Sequence, residues 1–397
     1  MIPKLKPYYD IKELKAAFRF EKDAIPQFEK EFAKQIGMKY ALAFPYGRSC
    51  LYAFLKAMEI QKAEVLMPAY SCVVAANATV LSGNRPRFSD INIDDYNMDL
   101  QKAKRHITKR TKVIVPTSLF GYPVNLNQLQ ELKTKDLWVF HDSALGYLAT
   151  YKGKSVAKEG DVALFSLGIG KQLSTLCGGV LTTDNEEIYN KVKDYRHKNF
   201  KKHPFDTIKK ISFFIAQFLA LNNLSYNLTY FLWKKKIITF FTQYYNENKI
   251  ELPNNFYHYF TNFQARIGLE QLRKLPEIIE RRKKIARYYN TCLGDLKGIA
   301  LPPIIEGATY SHYVPKILKR WRFIEEMAKR GVHVGHHFEY SIPDLKAYKL
   351  YKDREFTNAS FCAKRAVNIP NYPDLTKSQQ DYIIEKTREV ISLIGPS

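Results

Sequence analysis

Several polar residues that each follow an apolar run could, together, do amine chemistry. "VALF" ends in Ser166, and Lys171 then stands in a loop of glycine, serine and threonine, "GIGKQLSTLCGG", ahead of the next apolar run. "LWVF" runs into His141 and Asp142, and "ALAF" into Pro45, Tyr46, Gly47, Arg48 and Ser49 before a helical pattern. A lysine amine can bond to an aldehyde, and an acid can keep a pyridine nitrogen protonated. A glycine turn that opens a helix offers free N–H groups and a positive dipole end to a phosphate. Ser49 and Ser166 would add hydroxyls and Arg48 a charge. Pyridoxal phosphate requires this set of groups. Singly, each has an ordinary reading: Gly-Ser is a common cap and turn, and a strand-end aspartate commonly caps a helix or pairs with a base.

The elements that must position these residues alternate from about residue 38. "KYALAF" precedes "SCLYAFLKAM", "EVLMPAY" precedes "VVAANATVLSG", "RPRFSDI" precedes a helix near 99 to 106, "KVIVPTS" precedes "LNQLQELK", and "LWVFHD" follows. Continuous apolar strands separated by helices predict an α/β fold with a mostly parallel sheet covered on both faces. Ligands of such sheets sit outside the carboxyl ends of the strands, where the residues above fall.

The chain resembles the DegT/DnrJ/EryC1/StrS sugar aminotransferases, pyridoxal-phosphate enzymes of fold type I, from about residue 38 to the C-terminus with one insert. The stretches that carry the resemblance are "PYGRSCLYAFLKAM", "EVLMPAYSCVVAANATVLSGNRPRFSDINIDDYNMD", "RTKVIVPTSLFGYP", "VFHDSALGYLATYKGK", "GDVALFSLGIGKQLSTLCGGVLTTDNEE", "FTNFQARIGLEQLRKL" with "RRKKIARYYN", and "VNIPNYPDLTKSQQDYI". The resemblance implies that Lys171 is the Schiff-base lysine, Asp142 the partner of the pyridine nitrogen, and Ser166 a phosphate ligand. It matches Gly47, Arg48 and Ser49 to the family's phosphate turn and Cys72, after "PAYS", to the group stacked on the cofactor. Gly178 and Gly179 would leave room for the chain to pass beside the lysine loop. It further implies a homodimer with shared active sites, glutamate as amino donor, and a nucleotide-linked keto sugar as acceptor. The alternatives are a non-sugar or lipid-linked ketone, or an inactive membrane-associated relative.

Four positions depart from the family pattern. Cys72 replaces the usual stacking group, Leu145 replaces a Gln or His that contacts the cofactor's phenolic oxygen, and Tyr257-His258-Tyr259 replaces Asn-Tyr-Arg. Arg48 replaces a small residue in the turn, and would supply phosphate affinity lost with the asparagine. His337 aligns with a substrate-side histidine, and Ser311-His312-Tyr313 either face the substrate or pack. The expected organisation is a large cofactor-binding domain over 1–245, with an apolar helical insert at about 205–245, and a smaller C-terminal α/β domain over 246–397.

The composition, 46% hydrophobic over 397 residues, supports a sizeable core. A formal charge of +23, from 62 Lys and Arg against 39 Asp and Glu, favours anionic partners, yet no nucleic-acid motif accompanies it. Much of that excess, including Lys4 to Lys15, reads as solvated surface. The five cysteines form no CxxC pair, so no metal site or disulfide framework is expected. The N-terminus lacks an apolar signal segment, which with the cysteines implies a cytoplasmic location. Residues 211–233, "ISFFIAQFLALNNLSYNLTYFLW", carry no charge and are flanked by lysines to residue 236. Their asparagines and glutamine disfavour a bilayer span. Two readings remain: helices packed on the protein or a dimer interface, and an element resting on an anionic membrane.

Overall fold

The computed structural model describes residues 1–19, 21–221, 225–235, 237 and 246–395. Helices α1 (Ile11–Phe18) and α2 (Ala24–Ile36) lead into β1 (Tyr40–Phe44), α3 (Gly47–Ala57), β2 (Glu64–Pro68), α4 (Val73–Leu81) and β3 (Arg85–Ser89). Then come α5 (Leu100–Lys104), β4 (Thr111–Ile114), α6 (Leu126–Gln130), β5 (Trp138–Asp142) and a small hairpin of β6 (Thr150–Tyr151) and β7 (Lys154–Ser155). Strands β8 (Val162–Ser166) and β9 (Gly179–Thr183) flank the lysine loop.

The seven-stranded sheet has the order β1-β9-β8-β5-β4-β2-β3. Four neighbouring pairs are parallel, and β9 alone runs against both its neighbours. Alternation places Leu42, Phe44, Val162 and Leu164 in one core with α3 and α4. Ala41, Ala43, Ala163 and Phe165 enter another with α2 and the long helix that follows the insert. Successive strand side chains point to opposite faces, so a sheet covered twice needs the unbroken apolar runs seen in the sequence.

Beyond β9 lie α7 (Glu186–Asn199) and the helix pair α8 (Asp206–Ala220) and α9 (Tyr226–Lys234). Helix α10 (Asn262–Leu293) starts at a reciprocal cap between Thr261 and Gln264. Strands β10 (Ile299–Ala300) and β11 (Lys316–Ile317) pair antiparallel, and α11 (Arg320–Lys329), α12 (Thr357–Arg365) and α13 (Lys377–Ile394) complete the chain. Residue 245, the expected end of the large domain, lies outside the described residues, as do 222–224, 236 and 238–244 of the insert.

A backbone seam joins the segment after β10 to the edge of the site. Thr309 N–H donates to the Gly121 carbonyl (2.9 Å) and Thr150 N–H to that of Gly307 (3.1 Å). Gly121 has φ +92°, and a Cβ there would lie 2.7 Å from Thr309 Oγ1 and 2.8 Å from the Tyr310 nitrogen. Only glycine fits so close an approach in that backbone conformation.

Candidate active site

Lys171 is held by a pinned loop. Its N–H donates to the Gly168 carbonyl (3.0 Å) and that of Thr175 to Leu167 (2.9 Å). Gln264 on α10 donates to the carbonyls of Thr175 (3.3 Å) and Cys177 (2.6 Å). Gln172 accepts from the Tyr147 N–H and donates to the Thr309 carbonyl, both at 3.3 Å. Burial lowers the pKa of the lysine below its usual value, opposed by Cys72 and then by the Asp142 carboxylate.

Asp142 ends β5, one strand from β8, and is 7% exposed. Its Oδ1 accepts the Ala144 N–H (3.0 Å), while its own backbone N–H donates to Pro116 (2.8 Å). Burial raises its pKa; that hydrogen bond and the charge of Lys171 act the other way. The acid and the amine therefore lie within electrostatic reach of each other at the carboxyl edge of the sheet, and Cys72, at the start of α4, is the other charge-bearing group acting on the lysine. His141 Nε2 lies 2.9 Å from Ser118 Oγ, and burial lowers its pKa to about 3, so the ring is neutral.

The turn before α3 has the form of an anion cradle. Tyr46 caps the helix in an extended conformation with no side-chain capping bond, leaving the first N–H groups of the turn, at Gly47 and Arg48, for a ligand. Ser49 Oγ is buried with no partner. An orphaned hydroxyl at a helix N-terminus fits an oxyanion, and buried polar atoms are rarely left unpaired without a reason. A Cβ placed on Gly47 would lie 3.5 Å from Ser166 Oγ, so the turn and that serine face each other. Gly179 seals the underside: a Cβ there would stand 2.5 Å from Gly47 Cα and 2.6 Å from the Gly47 nitrogen. Gly179→Ala should cost about 3 kcal/mol of stability through backbone overlap and also weaken phosphate binding; thermal melting and a cofactor titration check it.

The departures acquire structural accounts. Leu145 is buried in the apolar core beneath the site, where a polar group would need a partner. The Tyr257 hydroxyl meets that of Tyr52 (2.9 Å), and His258 Nδ1 lies 2.8 Å from Asp206 Oδ2 at the start of α8. The replaced segment thus anchors the insert. His203, Asp206 and His258 are the one group of metal-ligand type among the described residues, but Lys210 stands 3.7 Å from the same carboxylate as a resident cation. Arg48 is buried, with its guanidinium carbon 5.5 Å from the centroid of the Tyr46 ring.

Asn255 and Lys4 escape a local reading of the sequence, whereas His312 and His337 are among its candidates. Asn255 accepts the Tyr46 hydroxyl at 2.5 Å, two residues before the substituted segment. The His312 and His337 rings lie 4.4 Å apart, with Phe120 against both; burial pushes both pKa values well down, and Lys171 is among the charges acting on each. Both histidines therefore lie within electrostatic reach of the lysine. Lys4, counted above with the surface lysines, is a half-buried residue whose pKa is lowered by desolvation, and it acts on the same histidines. It arrives because Ile2 bridges to Val332, its N–H donating to Gly331 and its carbonyl accepting from His333.

Known proteins share this chain's sequence pattern and fold. The sequence matches the DegT/DnrJ/EryC1/StrS aminotransferase family over residues 14–228 and 238–388. It is 26% identical to the spore coat polysaccharide biosynthesis protein SpsC of Bacillus subtilis, covering 92% of this chain and 89% of that one. GDP-perosamine synthase of Escherichia coli O157:H7 is 24% identical, over 93% of this chain and 90% of its own. The structure superposes on Helicobacter pylori PseC, an aminotransferase involved in the biosynthesis of pseudoaminic acid, with a TM-score of 0.79 at 21% identity over 99% of both chains.

Proposed function

Since this chain belongs to the DegT/DnrJ/EryC1/StrS aminotransferase family, we propose that it uses pyridoxal 5'-phosphate to move an amino group from glutamate to a nucleotide-linked keto sugar in glycan biosynthesis. The observation that carries this reading is the burial of Lys171 and Asp142 within electrostatic reach of each other at the sheet edge, beside an anion cradle with an unpartnered hydroxyl. Relatives named for polysaccharide assembly and for perosamine synthesis support the sugar as acceptor.

In this reading the N-terminal turn of α3, with Gly47, Arg48 and Ser49, and Ser166 hold the phosphate. Asp142 would face the ring nitrogen and Cys72 would lie against the ring. When bound, the cofactor supplies a reactive aldehyde and a ring that takes up the electrons released as a Cα–H bond breaks. Lys171 Nζ would hold the aldehyde at rest. Freed by the incoming amine, it takes the proton from the donor's Cα and later delivers one to the sugar carbon that gains nitrogen. Burial makes that task easier, because a desolvated amine gives up its proton more readily. The uncharged histidines His312 and His337 supply hydrogen-bonding groups without adding positive charge.

The family resemblance supports a homodimer, and the lack of any disulfide among the five cysteines suits a reducing compartment such as the cytoplasm; no described helix is long and apolar enough to cross a membrane. Sedimentation at micromolar concentration tests the dimer. For the reaction, keto sugar nucleotides are screened with glutamate by mass spectrometry. Purified protein should be yellow, and borohydride should leave a pyridoxyl mass on the peptide containing Lys171. A colourless, unlabelled protein in the presence of excess cofactor would end the assignment.

Arg48→Ala should weaken cofactor binding about tenfold, the loss expected for one charge-assisted hydrogen bond to phosphate. Equilibrium dialysis gives the affinity directly, and an unchanged value removes Arg48 from the cradle.

A further inference from the structure

The helix pair α8 and α9 has two unlike sides. Its inner side is seated: Phe214 is fully buried, edge-on to Tyr9 (5.2 Å) and Phe263 (5.9 Å), and the Tyr226 hydroxyl lies 2.6 Å from His333 Nδ1. Thr229 Oγ1 donates to the Ala220 carbonyl (2.8 Å), tying the two helices together. The expected packing on the protein is therefore found on this side alone.

The outer side is apolar and open. Ile208, Ile215 and Leu219 fall at i, i+7 and i+11 on α8, one narrow stripe at 3.6 residues per turn. Ile208 and Leu219 are each 62% exposed. Phe205 precedes the stripe, and Leu228 and Phe231 on α9 extend the apolar surface, all of them exposed. Lys201, Lys202, Lys209, Lys234 and Lys235 are exposed on the same pair and its flanks. From 201 to 237 the sequence holds a single acidic residue, Asp206, and that carboxylate is buried against His258 and Lys210.

We propose that this face is a docking surface for an anionic lipid membrane, with α8 and α9 lying in the plane of the interface, apolar stripe toward the acyl chains and lysines toward the headgroups. The charges decide between occupants. A second copy packed by a two-fold axis would bring the same lysines against each other with no exposed acid to answer them. Anionic headgroups supply that countercharge, and apolar side chains rimmed by lysine are what interfacial helices present. Spanning is ruled out by length, since 15 and 9 residues fall short of the ~20 a crossing helix needs. The seated side of the pair reaches the lysine loop. Phe214 and Phe263 share a core cluster with Leu176, in the loop that carries Lys171. The inference concerns the surface alone and stands independently of the proposed reaction.

The test is flotation of the full-length protein with vesicles of phosphatidylcholine alone and of phosphatidylcholine with phosphatidylglycerol. Binding should require the anionic lipid and weaken with salt. The triple reversal Lys209→Glu, Lys234→Glu and Lys235→Glu should weaken it at least about a hundredfold, at roughly a factor of five per lysine near a charged surface. Ile208→Ser with Leu219→Ser should weaken binding at unchanged melting temperature, because both side chains are already solvent-exposed. The proposal falls if the wild type fails to float with anionic vesicles, or floats as well with neutral ones. It falls also if the Ile208→Ser, Leu219→Ser protein floats normally but sediments as a smaller species, which would make the stripe a contact between copies.

Discussion

Lys171→Ala should lower the rate of amino transfer by at least about a hundredfold, the lower range for a positioned proton-transfer group, while leaving the fold in place. The loop around position 171 is held by backbone hydrogen bonds and by Gln172 and Gln264, none of which uses the lysine side chain. Arginine at 171 should fare no better. It restores a positive charge beside Asp142, but a guanidinium does not give up its proton and cannot act as a base. Stopped-flow absorbance during reaction with glutamate alone reads the donor half of the cycle, and mass analysis after borohydride shows whether any label remains. Full activity in Lys171→Arg would mean that the residue acts only as a charge, and the proposed chemistry would be wrong.

Asp142→Asn should lower turnover by a similar factor for a different reason. The amide is nearly the same size and its oxygen can still accept the Ala144 N–H, so position and packing survive. What disappears is a negative charge in a buried site, where electrostatic stabilisation of a developing charge is worth more than in water. Cofactor-free protein gives a second readout. Burial raises the folded pKa of Asp142 above its ordinary 3.8. The folded state therefore holds the proton more tightly than the unfolded chain does. That contribution is fully present below pH 3.8 and is lost as pH rises through the folded value. Asn has nothing to titrate, so the variant should lack this loss and match or exceed the wild type in stability at neutral pH. A coincident fall in melting temperature and activity would point to a packing role instead.

The site was legible to the extent that it follows from local order. Lys171, Asp142, Ser166 and the 47–49 turn each follow an apolar run, and parallel strands bring such ends to one edge. Direction was less legible. "GGVLTT" reads as a buried strand whether it runs with or against its neighbours, and only its antiparallel pairing with both β1 and β8 shows that β9 is reversed. Residues brought from far along the chain left no local mark. Lys4 sits in a run of lysines that looks like any solvated N-terminus, and it enters the site only because Ile2 docks on Val332. Asn255 and the substituted segment at 257–259 could be compared with a family pattern, but their contacts with Tyr46, Tyr52 and Asp206 are tertiary. The outward stripe on α8 was equally hidden, because an apolar helix has the same composition whether its second face is covered or bare.

The seam between Gly121, Thr309 and Tyr310 bears on how a bulky reactant gets in and out. With two backbone hydrogen bonds and a gap that a single methyl would close, the 307–310 segment cannot swing away from the sheet as a jaw would without breaking main-chain bonds. Admission must then depend on small side-chain rearrangements, such as rotation of half-buried His337 against buried Phe120. Turnover should accordingly respond to the bulk of those gatekeepers rather than to the stiffness of an interdomain joint.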